Sequence, residues 1–197
     1  YELLWDALII GCAQTGKPLV ISTGMATLEE VQHAVEVFKA HRVSPDQSLS
    51  ILHCVSSYPT PLADTNLAAI GALRDALSAE YPDVRYGWSD HSVDSDVMYR
   101  AWHHWDGRVL EFHLDLEGAG AEAAVGHCWL PEQVEVMIRN VRSARGVNIS
   151  PALGATIDGV REVKVLPSEL PDREWRADPS DGLRPFLSTR KTWQATE

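Results

Sequence analysis

The chain has 197 residues, of which 45% are hydrophobic and 23% are charged, a composition typical of a folded domain with a sizeable core. Its net charge of -11 argues against a nucleic-acid partner, because neutralising phosphates requires a basic surface. No apolar stretch approaches the roughly 18 residues of a membrane span, and the N-terminus lacks the pattern of a secretory signal. We therefore expect a cytoplasmic protein without nucleic-acid or membrane partners.

The three cysteines, Cys12, Cys54 and Cys128, are widely spaced and odd in number. This pattern fits reduced thiols better than a disulfide framework. We expect each of them to be a small residue in or near the core.

Four times along the chain a short β-branched or apolar run is followed by a loop and then by a segment with helical periodicity. The predicted strands are PLVIS (18–22), LSILHC (49–54), VRYGW (84–88) and RVLEFH (108–113). In the first helical segment, 28–41, Val31, Val35 and Phe38 fall on one face. Thr27, followed by Glu30 three residues later, forms a capping-box pattern that marks the start of this helix.

Four such units predict an α/β fold with a parallel sheet and helical crossovers. No glycine-rich phosphate loop follows any strand, which disfavours a dinucleotide-binding sheet. Polar residues instead follow or end each strand, as in a (β/α)8 barrel, where they surround one mouth. These residues are Ser22, His53, Ser89 with His91, and Glu111 with His113.

Beyond residue 146 the pattern weakens. Residues 149–165 predict one more helix, and the segment from Leu166 onward is rich in Pro, Asp and Arg. We therefore divide the chain into a barrel portion, residues 1–148, and a terminal helix with an irregular tail, residues 149–197.

Two imidazoles and a carboxylate at adjacent strand ends suit a divalent metal such as Mn²⁺, Zn²⁺ or Fe²⁺. A single histidine in such a place is more often structural. Two alternatives therefore remain for His91 and His113, which lie on consecutive predicted strands. Either they form one site with Ser89, Asp90 and Glu111, or they are two separate structural histidines. We expect structural or solvent-facing roles for the other strand and helix histidines, which are His33, His41, His53, His103 and His104. We expect packing roles for the tryptophans Trp88, Trp102, Trp105 and Trp129.

Four segments of the chain are informative together: GKPLVISTGMATLEEVQHAVEV, ILHCVSSYPTPLADTNLAAI, GWSDHS and LEFHLDL. In order and spacing over about residues 8–145, they resemble successive motifs of the sialic acid (N-acetylneuraminate) synthase family. The loop VGHCWLPEQ (125–133) resembles a divergent branch often labelled spore-coat polysaccharide biosynthesis.

The resemblance implies that the four predicted strands are strands 5 to 8 of a (β/α)8 TIM-type barrel. It implies condensation of phosphoenolpyruvate with an N-acetylmannosamine-like aldose, giving a nonulosonate-type 2-keto sugar acid and phosphate for surface polysaccharide. It further implies a divalent metal, Mn²⁺ first with Mg²⁺ or Co²⁺ as alternatives, and a homodimer.

Site roles also follow from the resemblance, position by position. The metal ligands would be His91 and His113, with Glu111 as a third catalytic residue that orients the aldehyde or a water. Ser22, Ser56 and Ser89 would contact phosphoenolpyruvate, and Tyr58, Glu111 and His127 would contact the sugar.

The chain departs from the family pattern at several positions. Phe112 replaces a basic residue, Ser56 replaces an asparagine, and Ala124 replaces the aspartate that holds the sugar. His127 either compensates by contacting the sugar or packs against Trp129. The tail does not resemble the family's antifreeze-like domain.

Two competing classes differ from a metal-dependent synthase. One is a non-catalytic half-barrel or sugar-binding remnant that keeps the motifs without turnover. The other, a Schiff-base aldolase, is disfavoured because no lysine lies at any predicted strand end.

Overall fold

The computed structural model describes residues 1–143 and 147–192, and within them five parallel strands form one sheet whose spatial order is the chain order. The strands are β1 (Leu19–Ser22), β2 (Leu49–Cys54), β3 (Arg85–Asp90), β4 (Val109–Leu114) and β5 (Cys128–Trp129). A doubly wound sheet reverses its strand order at the ligand site. The unreversed order is instead that of a singly wound sheet, as in one side of a barrel.

Helices follow the strands as predicted. In chain order they are α1 (Asp6–Gln14), α2 (Leu28–His41), α3 (Ala68–Leu77), α4 (Ser95–His103), α5 (Ala121–Val125), α6 (Pro131–Arg142), α7 (Pro151–Asp158), α8 (Leu170–Arg176) and α9 (Leu187–Thr192). The capping box of α2 is confirmed, since Thr27 Oγ1 accepts from Glu30 N at 3.3 Å and Glu30 Oε2 accepts from Thr27 N at 2.8 Å. Among the described residues, no helix combines the length and the apolar character needed to cross a membrane.

The hydrophobic core lies between the sheet and the helices of its outer face. Val31, Val35 and Phe38 of α2 are fully buried, as the helical period predicts, and Trp88 of β3 lies in the same cluster. Burying each such side chain contributes roughly 1.5–3 kcal/mol, and this burial holds the strands in register.

Side chains alternate between the two faces of the sheet. On β2, Ile51 and His53 point toward the helices, whereas Leu52 and Cys54 line the opposite, concave face. The His53 ring lies 5.2 Å from that of Trp88, and its Nε2 is 3.0 Å from Thr65 O. His53 is therefore a satisfied core histidine, as predicted.

Asp90 has a structural position and does not join the histidines of the predicted site. It is fully buried on the helix side, where Oδ1 accepts from Trp88 Nε1 at 2.9 Å and Oδ2 from Trp129 Nε1 at 2.8 Å. One carboxylate thus connects β3 to β5. The packing role predicted for these two tryptophans is confirmed.

The segment after α7 is more ordered than the predicted irregular tail. It contains α8 and α9, and its Glu169 is 1% exposed. Glu169 Oε1 accepts from Met25 N at 3.1 Å and from Ser56 N at 2.7 Å, while Oε2 accepts from Leu166 N at 2.9 Å. Arg173 and Arg184 also donate to Met25 O. These hydrogen bonds from the tail hold the loops that follow β1 and β2 in place.

Two parts of the sequence prediction lie outside the described residues. They are residues 144–146, at the end of the predicted fourth helix, and residues 193–197, at the end of the tail. The predicted helix over 149–165 is shorter in the structure, ending at Asp158 before Gly159, which has φ +61°.

Candidate functional site

The carboxyl ends of β1 to β4 surround an open cleft of about 410 Å³ on the concave face of the sheet. Of the eight residues predicted for the site, seven line this cleft: Ser22, Ser56, Tyr58, Ser89, His91, Glu111 and His113. The side chains come together because the carboxyl ends of parallel strands share one edge.

His91 follows β3 and is 2% exposed. Its Nδ1 lies 2.8 Å from Val55 O, and because a carbonyl can only accept, this nitrogen carries the proton. Burial lowers the pKa of His91, and the neighbouring His113 lowers it further. His91 is thus a neutral imidazole at pH 7 whose Nε2 keeps a lone pair.

Three imidazoles surround the ring of Tyr58. Its centroid lies 4.1 Å from that of His91, 5.0 Å from that of His127 and 5.9 Å from that of His113. The His113 ring is 5.1 Å from that of His91 and 4.8 Å from that of His127. Burial raises the pKa of Tyr58, which keeps its phenol neutral and able to donate.

His127 precedes β5 and faces this cluster. It is 3% exposed, and its Nε2 lies 3.3 Å from Glu122 Oε2. Burial lowers its pKa, as does the nearby His113. The ring contacts favour a site position over the packing against Trp129 that the sequence left open.

Glu111 lies on β4 with its carboxylate exposed at the cleft. Ser89, in register with it on β3, donates its Oγ hydrogen to Glu111 Oε2 at 2.5 Å. This hydrogen bond fixes the orientation of a carboxylate beside the two strand-end histidines. Such a carboxylate can orient a water or a hydroxyl group.

The positions that depart from the family pattern differ in location. Phe112 points to the helix side, where its ring lies 6.2 Å from that of Trp129, so it cannot replace a basic group in the cleft. Ala124 is exposed on α5. The four helical histidines are satisfied or exposed, as predicted, since His33 pairs with Asp6 and His103 with Val141 O.

Sequence reasoning missed two residues near the cleft. Cys54 lines its floor, and burial raises the pKa of the thiol to about 12. The alternation of β2 with its neighbour Leu52 would have revealed this position. Glu169 had no such signal, because it lies on a short turn in a segment without hydrophobic period.

Known proteins resemble this chain over most of its length. N-acetylneuraminate-9-phosphate synthase of Drosophila melanogaster is 28% identical over 180 residues, which are 84% of this chain and 46% of that protein. N,N'-diacetyllegionaminic acid synthase of Campylobacter jejuni is 35% identical over 147 residues, 71% of this chain and 41% of that protein. The chain thus spans less than half the length of either relative.

A solved structure has the same fold. The spore coat polysaccharide biosynthesis protein SpsE of Bacillus subtilis superposes with a TM-score of 0.67 at 23% identity, covering 86% of this chain and 46% of that one. At this identity the likeness concerns the fold alone. The family model described as NeuB family matches residues 1–150, about three quarters of the chain, and confirms the resemblance that the sequence motifs predict. The chain therefore belongs to the NeuB family.

Proposed function

We propose that this chain is the second half of a (β/α)8 synthase barrel, with β1 to β4 as barrel strands 5 to 8, and that the whole protein makes a nonulosonate-type 2-keto sugar acid. Its substrates are phosphoenolpyruvate and an aldose, with phosphate as the second product. The observation that carries the proposal is the placement of His91 and His113 at adjacent strand ends beside the Ser89–Glu111 hydrogen bond. The synthases among the relatives support it.

The histidines fit a divalent metal. His91 donates its Nδ1 hydrogen to a backbone carbonyl, which is the usual arrangement for an imidazole that ligates through Nε2. His113 lies 5.1 Å away between ring centroids. We assign these two residues as ligands. The bound metal would supply Lewis-acid polarisation of the aldehyde oxygen.

Hydroxyl groups from β1, from the loop after β2 and from β3 would bind phosphoenolpyruvate. Ser22, Ser56 and Ser89 line the cleft, and the Ser56 loop is held by Glu169. Among the described residues that line the cleft, none is a lysine or an arginine. A trianionic ligand needs cations, which we assign to the other half of the barrel.

This distribution of charge carries a consequence for the chain alone. We infer that the 197 residues by themselves have little or no synthase activity. The same lack of cations favours the second candidate, a non-catalytic half-barrel. The two differ in the full-length protein, where only the synthase releases phosphate from phosphoenolpyruvate in the presence of an aldose.

The acceptor sugar would lie against Tyr58, Glu111 and His127. Ala124 removes a carboxylate that the resemblance assigns to the sugar, and a site that loses a hydrogen-bonding partner discriminates poorly. We therefore infer that N-acetylmannosamine is a poor acceptor, and that a more deoxygenated or differently acylated aldose is preferred.

The test is a screen of aldoses with phosphoenolpyruvate and the full-length protein, monitored by phosphate release. We expect one aldose to give a kcat/KM at least about tenfold above that of N-acetylmannosamine. An Ala124→Asp variant should narrow this gap, while Ala123→Asp, the adjacent control, should not. Efficient use of N-acetylmannosamine by the parent contradicts the acceptor assignment, and no phosphate release with any aldose contradicts the function.

A further inference from the structure

Three potential metal donors come together where β4 meets β5. His113 and Cys128 are partners in the parallel register of these strands, so their side chains lie on the same face. His127 precedes Cys128. One donor atom from each of the three residues lies within 4.8 Å of the others. The edge of a tetrahedral zinc site is roughly 3.5 Å, so small side-chain rotations bring all three donors to one ion.

His127 gives independent support for a ligand at this position. Its Nδ1 is buried and has no hydrogen-bond partner among the described residues. Its Nε2 lies 3.3 Å from Glu122 Oε2, and a carboxylate can only accept, so this contact favours the tautomer with its proton on Nε2 and a lone pair on Nδ1. A carboxylate behind an imidazole is the usual outer partner of a metal-binding histidine.

We propose that His113, His127 and Cys128 together ligate a divalent ion. Three protein donors leave one tetrahedral position for a substrate or water, as catalytic zinc sites do. The Cys128 thiol loses its proton on ligation and becomes the thiolate donor. This inference rests on the proposed function and changes its ligand set: His113 stays a ligand, and His127 and Cys128 take the place of His91.

The donor set also changes the expected ion. Thiolate and imidazole ligands select Zn²⁺, Co²⁺ or Fe²⁺, whereas Mg²⁺ and Mn²⁺ prefer oxygen donors. Under this proposal the expected ion is thiophilic, in place of the Mn²⁺ that the sequence resemblance implies.

Titration of the chain with Co²⁺ under reducing conditions tests the proposal, since a cobalt–thiolate bond gives a near-ultraviolet charge-transfer band. We expect that band at one Co²⁺ per chain, displaced by Zn²⁺ and not by excess Mg²⁺. Cys128→Ser and Cys128→Ala should remove it, and His127→Ala should weaken Co²⁺ binding at least about tenfold. The controls Cys12→Ser and His33→Ala should change neither, with circular dichroism confirming that each variant is folded.

Two results would overturn the proposal. The first is the lack of a charge-transfer band in the unmutated chain. The second is a band that survives in Cys128→Ser and disappears in Cys54→Ser, which removes the thiol that lines the cleft. His91→Ala separates this inference from the proposed function. Loss of Co²⁺ binding in His91→Ala, with Cys128→Ser unaffected, would retain the His91–His113 pair and reject the thiolate site.

Discussion

His53 shows how one residue of the sheet couples stability to pH. Burial lowers its pKa to about 4, from the ordinary value of 6.5, because the helix-side core disfavours the charged ring. With a lowered folded-state pKa, the unfolded chain binds more protons between these two values. The contribution to stability is complete above the unfolded pKa and is lost as the pH falls toward 4.

We therefore predict a loss of about 3 kcal/mol in the free energy of unfolding from this residue between pH 7 and pH 4. Urea unfolding at a series of pH values measures it. His53→Gln keeps an N–H donor for Thr65 O without titrating, so its unfolding free energy should decline less over the same range. Parallel pH profiles for the parent and His53→Gln would contradict the assignment.

The site residues differ in how far sequence alone could predict their proximity. His91 and His113 end neighbouring strands, and the parallel arrangement brings such positions together, so their proximity follows from pattern alone. His127 joins them through β5, a strand of two residues that has no hydrophobic period. The position of His127 in the cluster could therefore be found only from the structure. Asp90 likewise lies in a polar run, yet the alternation of β3 turns it to the helix side.

Among the secondary-structure elements, those of the tail are more ordered than its composition predicts. A segment rich in Pro, Asp and Arg is expected to be irregular because it has few apolar side chains to bury. Here the order comes from polar contacts: Glu169 accepts three backbone N–H groups, and Arg184, 2% exposed, pairs with Glu30 at 3.6 Å and donates to Met25 O. Hydrophobic periodicity contains no signal for contacts of this kind.

The Glu169 contacts lead to a stability prediction. Glu169→Ala leaves the N–H groups of Met25, Ser56 and Leu166 without their acceptor, and we expect it to cost about 2–4 kcal/mol. Amide hydrogen exchange should accelerate in the loops after β1 and β2 before it does in β3. The exposed Glu174→Ala serves as the control and should cost less than about 0.5 kcal/mol.

An equal loss of stability in Glu169→Ala and Glu174→Ala would contradict the conclusion that Glu169 holds the loops after β1 and β2 in place. So would exchange that accelerates evenly along the whole sheet, because that pattern indicates general destabilisation without release of the two site loops.

At the scale of the whole molecule, the sheet is open. β1 forms one end of the strand order, and Val20, on its concave side, is 51% exposed. Exposed strand edges and apolar interior faces favour association. We predict that the 197-residue chain associates in a concentration-dependent manner, which sedimentation velocity measures.

A matched pair of variants identifies the surface. Val20→Lys places a charge on the edge strand and should shift the distribution toward monomer. Val43→Lys, at a 62% exposed position outside the sheet, should not. A chain that is monomeric at all concentrations would contradict the half-barrel account.

Turnover by the full-length protein with phosphoenolpyruvate and its preferred aldose tests whether the strand-end histidines form the catalytic site. We expect equal amounts of phosphate and 2-keto sugar acid, loss of both after chelation, and recovery on adding a divalent ion. His113→Ala should lower kcat at least about 100-fold while circular dichroism stays unchanged, and the surface control His33→Ala should behave as the parent. Phosphate release that survives both chelation and His113→Ala would contradict the claim that this strand-end histidine cluster is the catalytic site.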